Sequence, residues 1–564
     1  MEIIVIGGVA AGPRAAARLK RLLPNDNITL VNDSEKLSYG ACGLPYYASG
    51  DINDIAEIFK TSYGLIRDKA YFENIKRLNV LTPYRAERID CENKVLYLSN
   101  LQTGLSLELP YDRLILATGA SPIKPNIPGI ESERVRTFSK PDDASYFRKL
   151  AEVGRLENIC IVGAGFIGCE LSEAFTSLWG IKSCVVEGEG CVLPRFLDRE
   201  MGLLVKSEMI RNGVDLFCGT SVDRFEEKEG RLKIFFGDNY TEGDAAIVAV
   251  GFKPNIELAE SADLEIGITG GIKVDCHLQT SDPLIYAAGD CVENYNLILD
   301  KPVLLPLGSI ANRHGRLIAN NIAGRMDEFS GVVGTLAVKV FDYNVAATGI
   351  TQKTAEENGL DIGCVWGSFP DKAEYYPEWK YIYLKMVYEK GNYRLLGLQA
   401  VGPGDVVKRV DIFSQLLHRR ACLDDLFDLE MAYSPPYSSA LDPLFVLGCI
   451  AKNQEEDLVK AISPEFLAAG SITDGYIIID VREEGERKGD PIEAEGIEIL
   501  EIPMTVLVSK LSTLDLKGKK PIVVCHRGVR GYEVARRLKD YGFEQTSFLG
   551  GGMSFVGAMK EGIG

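Results

Sequence analysis

Apolar and polar positions along this chain fall into blocks whose period changes several times. "EIIVIGG", beginning at residue 2, is a short unbroken apolar run ended by glycines, the pattern of a strand buried on both faces. "AAGPRAAARLKRLL" follows, rich in alanine with its basic residues to one side, and predicts a helix. "NITLVND" is the next apolar run, so the stretch reads strand–turn–helix–strand. The same order recurs over residues 158–190, "NICIVGAGFIGCELSEAFTSLWGIKSCVVEGEG". From about Gly331 the texture shifts. "GTLAVKVFDYNVAATGIT" and "YIYLKMVYEKGNYRLLGLQAVG" read as strands and hairpins, and "VVKRVDIFSQLLHRRA" as a helix. Towards the end "GYIIIDVRE", "IEILEIPM", "PIVVCHRG" and "QTSFLGGG" alternate with helical stretches and predict a small parallel α/β unit.

The expectation is an α/β protein of four domains: a first Rossmann-like dinucleotide-binding domain over 1–115 and 250–325, a second over 116–249, an α+β domain over 326–450, and a last α/β domain over 451–564. The net charge of −18 argues against nucleic acid or an anionic membrane as partner. No apolar run reaches the ~20 residues a membrane span needs. The start, "MEIIVIGGVAAG", has no basic segment ahead of its apolar stretch, and that stretch runs straight into a glycine turn, so a cytoplasmic protein is expected. The thirteen cysteines show no CxxC pair and no zinc-type spacing; no metal site is expected.

Gly163, Gly165 and Gly168 follow an apolar strand and open a helix. The first glycine permits the tight turn, the second lets backbone approach a pyrophosphate, and the third lets helix pack on strand. Glu187 ends the next strand, where an acid hydrogen-bonds a ribose 2′-hydroxyl and repels a 2′-phosphate; NADH is therefore expected over NADPH. The bland alternative is a purely structural turn. In the N-terminal copy Gly7, Gly8 and Gly12 are kept, Val9 replaces the middle glycine, and the acid's place falls to Asn32 with Asp33 beside it. "LILATGASP" carries Thr118 and Gly119 at a strand end, where backbone can cross near a nucleotide. "YAAGDC" places Asp290 where it can accept from a sugar-alcohol hydroxyl.

In this order, over about 450 residues, the motifs resemble those of the flavoprotein disulfide reductases of the pyridine nucleotide-disulfide oxidoreductase superfamily. The resemblance implies FAD on the N-terminal unit, NADH on the inserted unit, and contact of Asp290 with the ribityl-phosphate part of FAD. Many such proteins carry a CxxxxC pair. Here "SYGACGLPYYASG" has Cys42, while Tyr47 stands where the second cysteine would fall. The stretch resembles instead the single-cysteine branch: coenzyme A-disulfide reductases, NADH-dependent persulfide or polysulfide reductases, and NADH oxidases and peroxidases. Ser38 of that motif is placed with the cofactor-binding residues. Tyr39 and Ala41 depart from the branch's usual Phe and Asn, which leaves the tuning of Cys42 open.

A disulfide reductase also needs an acid for the leaving thiolate. None of the four histidines, His277, His314, His418 and His526, lies in "MAYSPPYSSALDP", which instead offers Tyr433. That segment and "AEYYPEW", with Tyr375 or Tyr376, resemble the tyrosine-bearing segments of coenzyme A-disulfide reductases, where the tyrosines come from the opposite subunit of a homodimer. Interface packing is the plainer reading of them. Arg18 and Arg21, with Lys20 between them and Lys69 and Lys76 farther on, are a solvated basic face or, as the resemblance implies, a cradle for coenzyme A phosphates.

The last domain resembles a rhodanese. "DVREEGE" begins at Asp480, placed with the substrate-binding residues, and "VVCHRGVRG" carries Cys525 in a loop whose backbone N–H groups suit a persulfide. Arg530 closes the loop and is expected to steady an anionic sulfur donor; the alternative is an inert module. The implied activity is NADH-dependent, FAD-mediated reduction of coenzyme A persulfide, polysulfide or coenzyme A disulfide at Cys42, with coenzyme A as substrate or bound thiol and small thiols as partners. The alternatives are an NADH oxidase or peroxidase cycling through a Cys42 sulfenic acid, and a redox-sensing or scaffold protein.

Overall fold

The computed structural model describes residues 1–468, 475–492, 494 and 496–563. The chain divides into two units of interleaved segments: Met1–Gly163 with Leu178–Ile181 and Asp223–Val332, and Ala164–Ser177 with Lys182–Val222 and Val333–Gly564.

In the first unit a parallel sheet runs in the order Ile285–Ala287, Arg113–Leu116, Glu2–Ile6, Asn27–Val31 and Asn79–Leu81. Successive side chains on a strand point to opposite faces, so an apolar run feeds two cores. Ile3 and Val5 pack with Ala15, Ala16 and Leu19 of the helix Ala11–Leu22 and with Leu317 and Ile318 of the helix Gly308–Ile322. Ile4 and Ile6 face the other way, onto Ile89, Leu96 and Leu98 of the antiparallel strands Tyr84–Asp90 and Val95–Asn100. The expected helix after the first glycine turn is therefore present, and the apolar strand is covered on both faces. The same unit holds the parallel strands Asn158–Val162, Ala245–Val248 and Val135–Thr137.

The second unit contains the parallel strands Lys182–Glu187 and Asp215–Cys218. Its antiparallel sheet runs Leu336–Val340, Tyr343–Gly349, Leu395–Gly402, Tyr381–Glu389 and Ile362–Pro370, as the hairpin texture predicts. The helix Val407–His418 stands where its pattern placed it. Lys385 of this sheet is fully buried between Asp198 at 2.9 Å and Glu200 at 2.6 Å. A five-stranded parallel sheet then runs Lys460–Ile462, Ser547–Leu549, Lys520–Val524, Tyr476–Asp480 and Ile499–Glu501. Among the described residues no helix is long and apolar enough to cross a membrane.

Candidate functional site

The first glycine turn is shaped by what surrounds it. Gly7 has φ +111°, and a Cβ there would lie 2.0 Å from the Ala117 carbonyl oxygen; one on Gly12 would lie 1.9 Å from the Gly7 oxygen. Only glycine fits at either place. Gly8 N–H donates to Asn32 Oδ1 at 2.9 Å, and Asn32 Nδ2 donates to the Ser34 carbonyl at 2.7 Å. The buried Asn32 amide thus braces the turn, and the Asp33 carboxylate beside it is exposed. The second turn repeats the device: Ala164 N–H donates to Glu187 Oε2 at 2.6 Å, and Glu189 N–H to Glu187 Oε1 at 2.8 Å. Gly163 has φ +104°, and a Cβ on it would meet the Ala249 oxygen at 2.5 Å, whereas one on Gly165 would meet nothing within 4 Å. The chain's own packing does not require glycine at 165, so the space beside it is open to a ligand. Gly168 is buried in the helix Phe166–Glu173.

Thr118 Oγ1 donates to the Asn255 carbonyl at 2.7 Å, Asn255 Nδ2 donates back to the Thr118 carbonyl at 2.8 Å, and Asn255 N–H reaches the Gly119 oxygen at 2.9 Å. Asn255 thereby fixes the strand crossing that carries Thr118 and Gly119. Asp290 lies on the one-turn helix Gly289–Cys291, and its carboxyl is pushed up by burial. A half-buried carboxylate of this kind suits a ligand hydroxyl group. Beside it, Gly289 N–H donates to Nδ1 of His314, a histidine held neutral because burial lowers it to about 3. These residues fit FAD.

Cys42 is exposed on the one-turn helix Ala41–Gly43, which runs directly into the helix Leu44–Ser49. Its loop is tied to the glycine turn, since Ser38 N–H donates to the Gly8 carbonyl at 2.7 Å, and Gly40 N–H donates to the Ile58 carbonyl at 2.8 Å. The helix after Cys42 is clamped: Trp179 Nε1 donates to the Ala48 carbonyl at 2.9 Å, and Arg148 donates to the Tyr47 carbonyl at 3.0 Å while lying over the Tyr47 ring. Tyr39 rests on Phe59, and burial pushes its hydroxyl up to about 12. Other arginines lie near Arg18. Arg18 Nε donates to Asn320 Oδ1 at 3.1 Å, and its guanidinium is pushed down by desolvation and then by the charges of Arg316, Arg325, Arg21 and Arg14. Arg316 and Arg325 escaped the sequence reading because they lie some 300 residues from Arg18; their common sign was the only signal. Lys69 is 3.8 Å from Glu73.

In the second unit Tyr375 and Tyr433 meet, hydroxyl to hydroxyl, at 3.4 Å, and this shared bond pushes Tyr375 up. Tyr376 instead lies under Lys372. Of the two tyrosines in "AEYYPEW", then, the structure joins Tyr375 to Tyr433. Cys525 is buried, and Gly528 N–H points at its sulfur from 3.1 Å. The side chains around it are paired. Arg530, expected to steady a sulfur donor, is held by both oxygens of Glu486, at 2.8 and 2.5 Å. Asp480, expected to meet substrate, is 2 % exposed and grips Arg482 at 2.8 Å, so it anchors the loop's base. Arg527 is paired with Glu374, and His526 Nε2 lies 3.0 Å from the Tyr381 hydroxyl. Burial, ahead of the neighbouring charges, lowers His526. Glu486 closes the quoted "DVREEGE", so its position was legible but its partner was not.

The family model described as pyridine nucleotide-disulphide oxidoreductase matches residues 1–309, and the model for that family's dimerisation domain matches residues 335–444. An NAD(P)H sulfur oxidoreductase (CoA-dependent) of Pyrococcus abyssi is 34% identical over 80% of this chain and 98% of its own. A solved NAD-dependent persulfide reductase from A. fulgidus is 40% identical, covers 98% of this chain and 100% of its own, and has a TM-score of 0.93. Reduced CoADR-RHD of Bacillus anthracis is 32% identical, covers 99% and 98%, and has a TM-score of 0.91.

Proposed function

The chain belongs to the pyridine nucleotide-disulphide oxidoreductase family, and from that premise we propose that it is an FAD-dependent NADH oxidoreductase that reduces sulfane sulfur or disulfide substrates linked to coenzyme A. The observation that carries this is Cys42: an exposed thiol in a loop hydrogen-bonded to the first glycine turn, with Tyr47 in place of a second cysteine. An internal disulfide is not available between these positions, so the second sulfur of the redox couple comes from the substrate.

The Cys42 thiolate attacks the carbon-bound sulfur of a persulfide R–S–SH. The S–S bond breaks, HS⁻ leaves, and a Cys42–S–S–R mixed disulfide forms. With coenzyme A disulfide the leaving group is the second thiolate. FAD, when bound, supplies the two electrons, taken from NADH, that cleave the mixed disulfide to two thiolates. Gly7, Gly8, Gly12, Asp33, Thr118, Gly119 and Asp290 hold it; Gly163, Gly165, Gly168 and Glu187 hold the nicotinamide nucleotide. Glu187, already fixed by two N–H donors, sets the preference for NADH by repelling a 2′-phosphate. Arg18 and Arg21 form the cradle for coenzyme A phosphates, and clustered guanidinium groups suit phosphate better than point charges do.

The working form is a cytoplasmic homodimer in which Tyr375 and Tyr433 serve the partner's Cys42 sulfur as hydroxyl donors. A rhodanese-like domain carries sulfane sulfur on Cys525, whose sulfur is met by the Gly528 N–H. The test is NADH-dependent sulfide release from coenzyme A persulfide and polysulfide. Cys42→Ser abolishes it; full retention would overturn the mechanism. Oxygen and peroxide, assayed under the same NADH regime, separate the oxidase reading, which requires faster turnover with them than with the sulfur substrates.

A further inference from the structure

Cys276 and His277 sit at the corner of a turn in the first unit, and the backbone returns past them at Glu328. The turn is built by Asp275, whose Oδ1 accepts from His277 N–H at 2.8 Å and from Gln279 N–H at 2.9 Å. The returning segment is pinned to it by a bond of 2.7 Å from Phe329 N–H to the Cys276 carbonyl. One ligand atom from each of Cys276, His277 and Glu328 lies within 4.8 Å of the others. Among the described residues this is the one such group. Cys–His adjacency alone matches no zinc spacing, which is why sequence reading passed over it; Glu328 completes the set through the fold.

We propose that Cys276, His277 and Glu328 form a binding site for a borderline divalent cation of the Zn²⁺ class, with solvent as fourth ligand. The donor set is one thiolate, one imidazole and one carboxylate, which selects zinc-like ions over Mg²⁺ or Ca²⁺. Tetrahedral zinc separates its ligand atoms by about 3.5 Å. Cys276 and Glu328 are exposed, so rotation of their side chains closes the remaining gap.

The second observation is the imidazole's outer partner. His277 Nδ1 lies 2.9 Å from the Asp327 carbonyl oxygen. A carbonyl only accepts, so in the neutral ring Nδ1 carries the hydrogen and Nε2 is the nitrogen left to bind a cation, the arrangement found at metal-ligating histidines. Asp327 is itself fixed: Asn321 Nδ2 donates to the same carbonyl at 2.9 Å, Asp327 N–H donates to Asn321 Oδ1 at 2.6 Å, and Asn320 Nδ2 donates to Asp327 Oδ2 at 2.5 Å. Asn320 also accepts from Arg18, so the loop that orients His277 is tied to the arginine cluster.

The test uses the full chain with Cys42→Ser, which removes the other exposed thiol. Zn²⁺ is titrated in competition with a chromophoric chelator, and Co²⁺ is added separately to read thiolate-to-metal charge transfer. The expected result is one ion per chain and a Co²⁺ charge-transfer band. Adding Cys276→Ser abolishes the band and weakens Zn²⁺ at least tenfold, and His277→Gln does the same to affinity while leaving the melting temperature of the metal-stripped protein unchanged. Equal Zn²⁺ affinity with and without Cys276, or no Zn²⁺ retained against the chelator by the parent, overturns the proposal.

Discussion

Gly165→Ala separates the two jobs a glycine can do in a nucleotide turn. The backbone at Gly165 has φ −77° and ψ −168°, open to any residue, and a Cβ there touches nothing within 4 Å. Replacing glycine by alanine at such a place restricts the unfolded chain and stabilises by about 0.4–1 kcal/mol. The same methyl would stand where the pyrophosphate of the nicotinamide nucleotide approaches the turn. Overpacking of that kind costs about 1–3 kcal/mol, or about 5- to 150-fold in affinity at ~1.4 kcal/mol per decade. The variant therefore melts at or slightly above the parent temperature, keeps its flavin absorbance, and shows a raised KM and Kd for NADH. Gly163→Ala is the contrast: φ +104° and a contact of 2.5 Å with the Ala249 oxygen make it a folding defect. The assays are thermal melting, visible absorbance, and NADH titration followed by steady-state kinetics. An unchanged Kd for NADH in Gly165→Ala refutes the assigned approach; a melting temperature well below the parent's refutes the geometry.

Two further expectations concern stability. Lys385→Met leaves the buried Asp198 and Glu200 carboxylates without their cation, and loss of one partner from a buried ion cluster costs about 3–5 kcal/mol; a loss under about 1 kcal/mol in urea unfolding contradicts it. Glu486 is held down to about 2, first by the hydrogen bond from Arg530, against an ordinary 4.5. A depressed carboxyl stabilises fully above its unfolded value and loses that contribution as pH falls from about 4.5 towards 2. Both side chains are a third exposed, so the increment is about 1 kcal/mol after screening. Glu486→Gln should lower the melting temperature near pH 7 and converge with the parent in acid; parallel profiles across that range contradict the pairing.

Much of the site was legible because its signals are local. Gly12 is dictated by close approach to Gly7 within its own turn, Gly7 and Gly163 by a positive φ that the strand–turn–helix motif announces although the atoms that crowd them, at Ala117 and Ala249, are distant in sequence, and the absence of a second cysteine at Tyr47 is a fact of spacing. Strand and helix periods alone predicted the helix Ala11–Leu22 and four of the five strands of the last sheet, Lys460–Ile462 being the one missed. What the order of residues could not supply was who faces whom. Asn32 spends its amide on the turn, and Arg530 is taken by Glu486. Tyr375 rather than Tyr376 reaches Tyr433, and Glu328 arrives beside Cys276 and His277. Local conformation follows from φ, ψ and side-chain period, which a short window of sequence contains. The pairing of charges and donors depends on how distant segments close on one another, and only the tertiary structure brings those partners within hydrogen-bonding reach.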